Sequence, residues 1–208
     1  MNRLPQKILI ASNNQGKIRE ISNLLQQLNI QAIAPFELLD NFVEPEEIGK
    51  NFEENSLIKA KFYATKTGIP AIADDSGLCI AALDNQPGIH SARFALDKNG
   101  KKDFLGTFTK IFAMLENKGF DLNKDEIKAH FICNLTLFDP SSNFSKSFEG
   151  RVDGRLVKPK GDKGFGYDPI FIKDGMTKTF GEITPQEKDK ISHRGTAFKK
   201  FQEFAKTL

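Results

Sequence analysis

The feature that most constrains this chain is near its start. The short apolar run Lys7-Ile8-Leu9-Ile10-Ala11 gives way to the polar stretch Ser12-Asn13-Asn14-Gln15-Gly16, and Ile18, Ile21, Leu24, Leu25 and Leu28 then recur at helical spacing. A buried strand, a polar loop and an amphipathic helix in immediate succession form a βα unit, which commits the chain to a mixed α/β arrangement. The spacing puts Lys17 in the first helical turn. Backbone N–H groups and the positive end of the helix dipole converge there, so a strand, a polar loop and a lysine together make a natural seat for phosphate. The loop is not a Walker A sequence: its glycine spacing is too short, and Ile18 stands where a metal-binding Ser or Thr would follow the lysine. A plain polar turn with a solvated lysine is the alternative at this point.

A second constraint lies at Ala73-Asp74-Asp75-Ser76-Gly77, two adjacent carboxylates directly after the apolar stretch Pro70–Ala73. The small and polar residues predict a turn at the mouth of a strand. Neighbouring acids repel and are costly to desolvate, so at such a place they face a cation or a reacting water. A metal-dependent enzyme is the reading these residues favour, and a solvated turn the alternative.

With 208 residues, 39% of them hydrophobic, the chain is long enough for one large domain or two packed lobes with a proper core. A net charge of +3 does not indicate a nucleic-acid partner, although it suits a small anionic substrate. Cys79 and Cys133 lie in apolar stretches without metal or redox spacing and read as buried thiols. No apolar run approaches membrane-spanning length and the first residues lack a secretory apolar region, so a cytoplasmic protein with no membrane partner is expected.

A second helix is predicted from about Phe52 to Lys66, with Asn51 as N-cap, Glu54 three residues on as a capping acid, and Gly68 and Pro70 as stop signals. Asn55 and Lys59 share a face of it and extend the phosphate site or else are surface groups. Ahead of the helix runs the acidic loop Glu44-Pro45-Glu46-Glu47. Phe104, Leu105, Phe108, Ile111, Phe112 and Leu115 mark a third amphipathic helix, and His130–Phe138 with Phe144–Val152 read as an antiparallel strand pair. Gly164-Phe165-Gly166-Tyr167-Asp168-Pro169 combines flexible backbone with two aromatics and suits the docking of a planar ring, a glycine-rich connection being the plain alternative. Ser192 reads as the N-cap of a last helix with Ala197, Phe198, Phe201, Phe204 and Ala205 as its apolar stripe; His193 and Arg194 at its start oppose the dipole, which hints at a functional demand.

In combination these segments resemble the inosine triphosphate pyrophosphatase family. The likeness covers nearly the whole chain and rests on Ser12–Lys17, on Phe52-Glu53-Glu54-Asn55 with Lys59-Ala60, on Ala73–Leu78, on Pro87–Phe94, on Gly164–Phe171, and on Glu187-Lys188 with Ser192-His193-Arg194. It implies an elongated α/β fold of two lobes around a long mixed β-sheet with flanking helices, residues 1–208 forming one domain, the active site in the cleft between lobes, and a homodimer. The implied activity is hydrolysis of non-standard purine nucleoside triphosphates (dITP, ITP, XTP) to the monophosphate and pyrophosphate, with Mg2+ as cofactor.

By that resemblance Ser12, Asn13, Asn14, Gln15, Gly16 and Lys17 hold the triphosphate together with Lys59. Asp75 binds the metal and acts as general base, Asp74 supports it, Glu46 is the second metal carboxylate, and Ser76 touches the substrate. Phe165, Gly166, Tyr167 and Asp168 line the base and sugar end, while Lys188, His193 and Arg194 read the purine edge. The chain departs from the family pattern at Asp84-Asn85-Gln86, where a glycine-containing turn is usual, and at Gly181, where alanine is frequent. A septum-inhibitor-type pyrophosphatase for modified pyrimidines and a non-catalytic nucleotide sensor are the rival readings; the Ser-His-Arg element argues against the first and the intact Asp74-Asp75 pair against the second.

Overall fold

The computed structural model describes residues 3–38 and 44–208. The fold is mixed α/β. In chain order the elements are β1 (Lys7–Ile10), α1 (Gln15–Gln26), β2 (Gln31–Ile33), α2 (Phe52–Thr67), β3 (Ala71–Ile80), β4 (Gln86–Pro87), α3 (Ser91–Phe94), α4 (Phe104–Asn117), β5 (Lys128–Asp139), β6 (Phe144–Leu156), β7 (Phe171–Lys173), α5 (Pro185–Ile191) and α6 (His193–Ala205). The strands join in the order β2-β1-β3-β5-β6-β7, with β4 pairing β3. β1 runs parallel to β2 and to β3, whereas β3 with β4 and β6 with β7 are antiparallel, so the expected mixed sheet is present.

The chain divides into two compact units, one of Met1–Asp75, Cys133–Gly150 and Ser192–Leu208, the other of Ser76–Ile132 and Arg151–Ile191. In the first unit β1 is apolar from Ile8 to Ile10 because both of its faces are covered there, as is usual for a parallel strand. Ile8 and Ile10 pack with Ile21, Leu25, Cys133, Leu135 and Phe198. Leu9 and Ala11, on the other face, pack with Ala60, Tyr63 and Ala64 of α2. β3 carries the same alternation: Ile72 belongs to the first cluster, Ala71 and Ala73 to the second. In the second unit Leu78, Ile80, Phe108, Ile111, Phe131, Phe171 and Phe180 form a separate core.

Most predicted elements fall where the sequence places them. α2 has Asn51 as N-cap, its Oδ1 accepting from the Glu54 N–H at 2.8 Å, and ends on Gly68 at φ 71°. α6 is capped by Ser192, whose Oγ accepts from the Gly195 N–H. α1 stops at Gln26, before Leu28, which still packs on the first cluster. In α4 Phe108, Ile111 and Leu115 are buried, but Leu105 is 75% exposed and takes no part in the core.

One expectation is corrected. Asp74 and Asp75 do not sit on a turn: β3 continues unbroken from Ala71 through them to Ile80. The run Asp-Asp-Ser-Gly is poor in strand formers, and tertiary pairing overrides that preference. Gly77 shows the demand locally, since a Cβ there would stand 2.2 Å from the Gly88 carbonyl oxygen.

Candidate active site

Successive residues of a strand point to opposite faces. Asp74 therefore shares the Ile72 face, toward α1 and α6, and Asp75 shares the Ala73 face, toward α2. That alternation sets the chemistry of each. Asp74 is 1% exposed. Its Oδ1 pairs with Lys17 Nζ from the first turn of α1, and its Oδ2 accepts from Arg194 Nε at 3.1 Å and from Cys133 Sγ at 2.8 Å. Arg194, 1% exposed, also pairs through Nη1 with Glu20 of α1. Burial opposes ionisation of Asp74, yet Arg194 and Lys17 outweigh it and hold the carboxyl well below the usual carboxylate range.

On the other face Asp75, 5% exposed, meets Lys59 of α2, whose Nζ lies 3.3 Å from Asp75 Oδ1 and 2.6 Å from Oε1 of Glu47. Asp75 Oδ2 is buried and without a hydrogen-bond partner among the described residues. Burial pushes the Asp75 carboxyl up, Lys59 and Lys17 pull it down less strongly, and the net direction is up. Lys59 is raised in turn: burial lowers it, but Asp75 and Glu47 outweigh that.

The loop ahead of α1 is ordered by side chains that accept from its N–H groups. The Asn14 side chain caps the helix, its Oδ1 accepting from the Gly16 and Lys17 N–H groups, and Ser12 Oγ accepts from the Asn14 N–H. The Asn13 N–H donates to Oε1 of Glu44 at 2.9 Å, so a carboxylate already rests on this loop. Gln15 is exposed at the helix start. In the acidic loop Glu46 is exposed, whereas Glu47 pairs with the lysine that also meets Asp75. Glu54 caps α2, its Oε2 accepting from the Lys50 N–H and its Oε1 from Asn51 Nδ2. Lys59 and Asn55 are buried and not surface groups.

In the second unit Ser76 follows Asp75 in β3 and is half-buried. Phe165 is half-buried, and Lys188 Nζ lies 4.4 Å from its ring centroid. The same ammonium sits 2.5 Å from Asp168 Oδ2, which also accepts from the Phe165 N–H. Gly164 and Gly166 take φ of 75° and 68°, and a Cβ on Gly164 would stand 2.2 Å from Asp168 Oδ2. These glycines thus let the loop close on Asp168. Tyr167 is buried, its hydroxyl donating to the Ser91 carbonyl, so of the two aromatics it is Phe165 that offers a face. His193 is buried at the start of α6.

The sequence pattern of the Ham1 family matches residues 8–204. The chain belongs to that family. It is 45% identical over 196 residues to a dITP/XTP pyrophosphatase of Zymomonas mobilis, covering 94% of this chain and 90% of the relative. A dITP/XTP pyrophosphatase of Dictyoglomus thermophilum is 44% identical, with 95% and 93% covered. Among solved structures a HAM1 protein from Coxiella burnetii superimposes with a TM-score of 0.83 at 37% identity, covering 97% of this chain and 99% of that one. The Staphylococcus aureus Ham1 protein gives 0.80 at 36%, with 96% and 98% covered.

Set in the Ham1 family, the departure at Asp84-Asn85 has a local form: both residues adopt the left-handed conformation, φ 54° and 62°, which Asp and Asn tolerate better than other non-glycine residues. Three residues of the site escaped the sequence. Glu47 differs from Glu46 only by one place in an acidic loop. Glu20 is an acid on the buried side of α1, a breach of its apolar pattern that was a usable signal. Cys133 alternates with Leu135 and Leu137 and carried no sign of its thiol contact.

Proposed function

We propose that this chain is a nucleoside triphosphate pyrophosphohydrolase that removes non-standard purine nucleotides, dITP, ITP and XTP, from the cytoplasmic pool, with residues 1–208 acting as one catalytic domain and the protein working as a homodimer. The observation that supports it most is the buried Asp75 carboxylate with an unpartnered Oδ2, beside Lys59, which it shares with Glu47. The names of the Ham1 relatives agree with the substrate class.

Asp75 Oδ2 and the Glu47 carboxylate are hard oxygen donors and fit Mg2+, which commonly takes one or two protein carboxylates and completes its shell with substrate phosphates and water. When bound, Mg2+ neutralises charge on the phosphate oxygens. The Ser12–Lys17 loop, with its capped helix start, holds the triphosphate, and Lys17 and Lys59 supply cations to it. The Asp75 carboxylate accepts a proton from the water that attacks the α-phosphorus, the α–β bridging oxygen departs with pyrophosphate, and the nucleoside monophosphate remains. Ser76 helps position the substrate. Phe165 stacks the base within the Phe165–Asp168 loop, and Lys188, a donor without acceptor capacity, meets the 6-oxo group of hypoxanthine or xanthine. Adenine presents an amino donor there and leaves Lys188 facing a donor, a mismatch that discriminates strongly where a hydrogen bond is read. His193 and Arg194 are assigned the purine edge by resemblance; Arg194 has in addition the structural pairing with Asp74 and Glu20.

A pyrophosphate-release assay across a panel of nucleoside triphosphates tests the reading. Cleavage of dITP, ITP and XTP far ahead of ATP, CTP and UTP is expected. Orthophosphate as first product, preference for modified pyrimidine nucleotides, or binding without turnover contradicts it.

A further inference from the structure

Lys59 is anchored on α2, is 5% exposed, and places one ammonium against both carboxylates that suit the divalent cation, Oε1 of Glu47 at 2.6 Å and Oδ1 of Asp75 at 3.3 Å. A buried carboxylate such as Asp75, with the half-buried Glu47 beside the same lysine, is strongly disfavoured without a counter-charge, and Lys59 supplies one. The same two acids that attract a divalent ion are thus already neutralised in part by a covalently attached cation.

We propose that Lys59 is a resident counter-cation that keeps this carboxylate pair closed to free divalent metal and gives it up only when a triphosphate arrives to take the ammonium. The proposal rests on the function proposed above and adds an order to it: metal and nucleotide enter together, and the nucleotide-free enzyme holds metal weakly. The exchange is economical in charge. Lys59 moves from two carboxylates to phosphate oxygens, so the ammonium is paired before and after, and the acids are never left without a cation. Lys17 acts on Asp75 only at longer range, because its ammonium is paired with Asp74 on the opposite face of β3. Asp75 Oδ2 stays without a partner even with Lys59 in place, so the pair retains an unused donor oxygen for the incoming metal.

Mn2+ titration of the nucleotide-free protein, followed by the electron paramagnetic resonance signal of free Mn2+, tests this. Removing one nearby positive charge from a buried site changes the binding of a divalent cation by at least about tenfold. Lys59→Met is expected to bind Mn2+ tighter by at least that factor, Lys59→Arg to remain as weak as wild type, and Lys59→Met combined with Asp75→Asn to lose the gain. Equal or weaker Mn2+ binding by Lys59→Met overturns the proposal. Should Lys59→Met not fold, Lys59→Gln takes its place, and the wild-type titration alone also decides: micromolar Mn2+ binding without nucleotide overturns it. Failure to cleave ITP would defeat the proposed function and leave these Mn2+ comparisons unchanged, so the two failures are distinguishable.

Discussion

Two carboxylates adjacent in sequence occupy opposite faces of β3 and have opposite characters. On one face Asp74 is enclosed by Lys17, Arg194 and Cys133, with Glu20 behind Arg194, and is held ionised below the usual range. On the other Asp75 has one lysine shared with Glu47, an unpartnered oxygen, and a carboxyl pushed upward by burial. The residue type is the same and the positions are consecutive; the pleat sends them to opposite faces. A saturated acid is an anchor, and an acid with an unused oxygen and a raised proton affinity is equipped to bind metal and take a proton.

The sharpest way to break this comparison is to remove each acid in turn. Asp75→Asn should lower kcat by at least about a thousandfold, in the range of a lost general base, while the protein unfolds cooperatively near the wild-type temperature. Asp74→Asn should act on stability, because it leaves a buried guanidinium with a single acid: a loss of roughly 3–5 kcal/mol in urea titration is expected. The pH dependence has a fixed sign. Asp74 has a depressed folded value, so its contribution is full above the ordinary carboxylate range near ~3.9 and is lost as pH falls toward its own lower value; the gap between wild type and Asp74→Asn should close in acid. If Asp74→Asn abolished turnover with stability unchanged, the anchor assignment would be wrong.

The metal side of the comparison separates two glutamates. Glu47→Gln should require more Mg2+ and be partly rescued by supplying it, whereas Glu46→Gln and Glu54→Gln should need no more than wild type; the reverse pattern in a Mg2+ titration of activity would return the second carboxylate to Glu46 or Glu54. A smaller effect concerns the acid limb of kcat/KM. Since burial holds Asp75 above the usual carboxylate range, activity should fall on acidification at a higher pH than an ordinary aspartate gives, and raising Mg2+ should move that limb down. At the far end of the scale, Lys188→Met should cost roughly 1.5–3 kcal/mol in kcat/KM for ITP and narrow its preference over ATP, with the Mg2+ requirement unchanged.

Much of this was legible in the sequence where a local rule applies. Periodicity placed α1, α2, α4 and α6, and the cap residues Asn51 and Ser192 marked the helix starts their side chains occupy; the cap at Asn14 is seen only in the structure. The Asp-Asp pair was legible as a charge anomaly and misread as a turn, because turn formers in a strand are explained only by partners distant in sequence: Lys17, Lys59, Cys133 and Arg194. Glu46 and Glu47 could not be told apart because an irregular loop has no fixed period, so the side that faces Lys59 is settled only by the fold. Arg194 was singled out by its conflict with the helix dipole; its pairing with Glu20, 174 residues away, has no local signature.

The account turns on the Asp75 face delivering a water to the α-phosphorus, and hydrolysis of ITP in 18O-labelled water tests that most directly. The label should appear in inosine monophosphate, with none in pyrophosphate, and Asp75→Asn should show no incorporation above background. Label in pyrophosphate, or in orthophosphate released first, would contradict it.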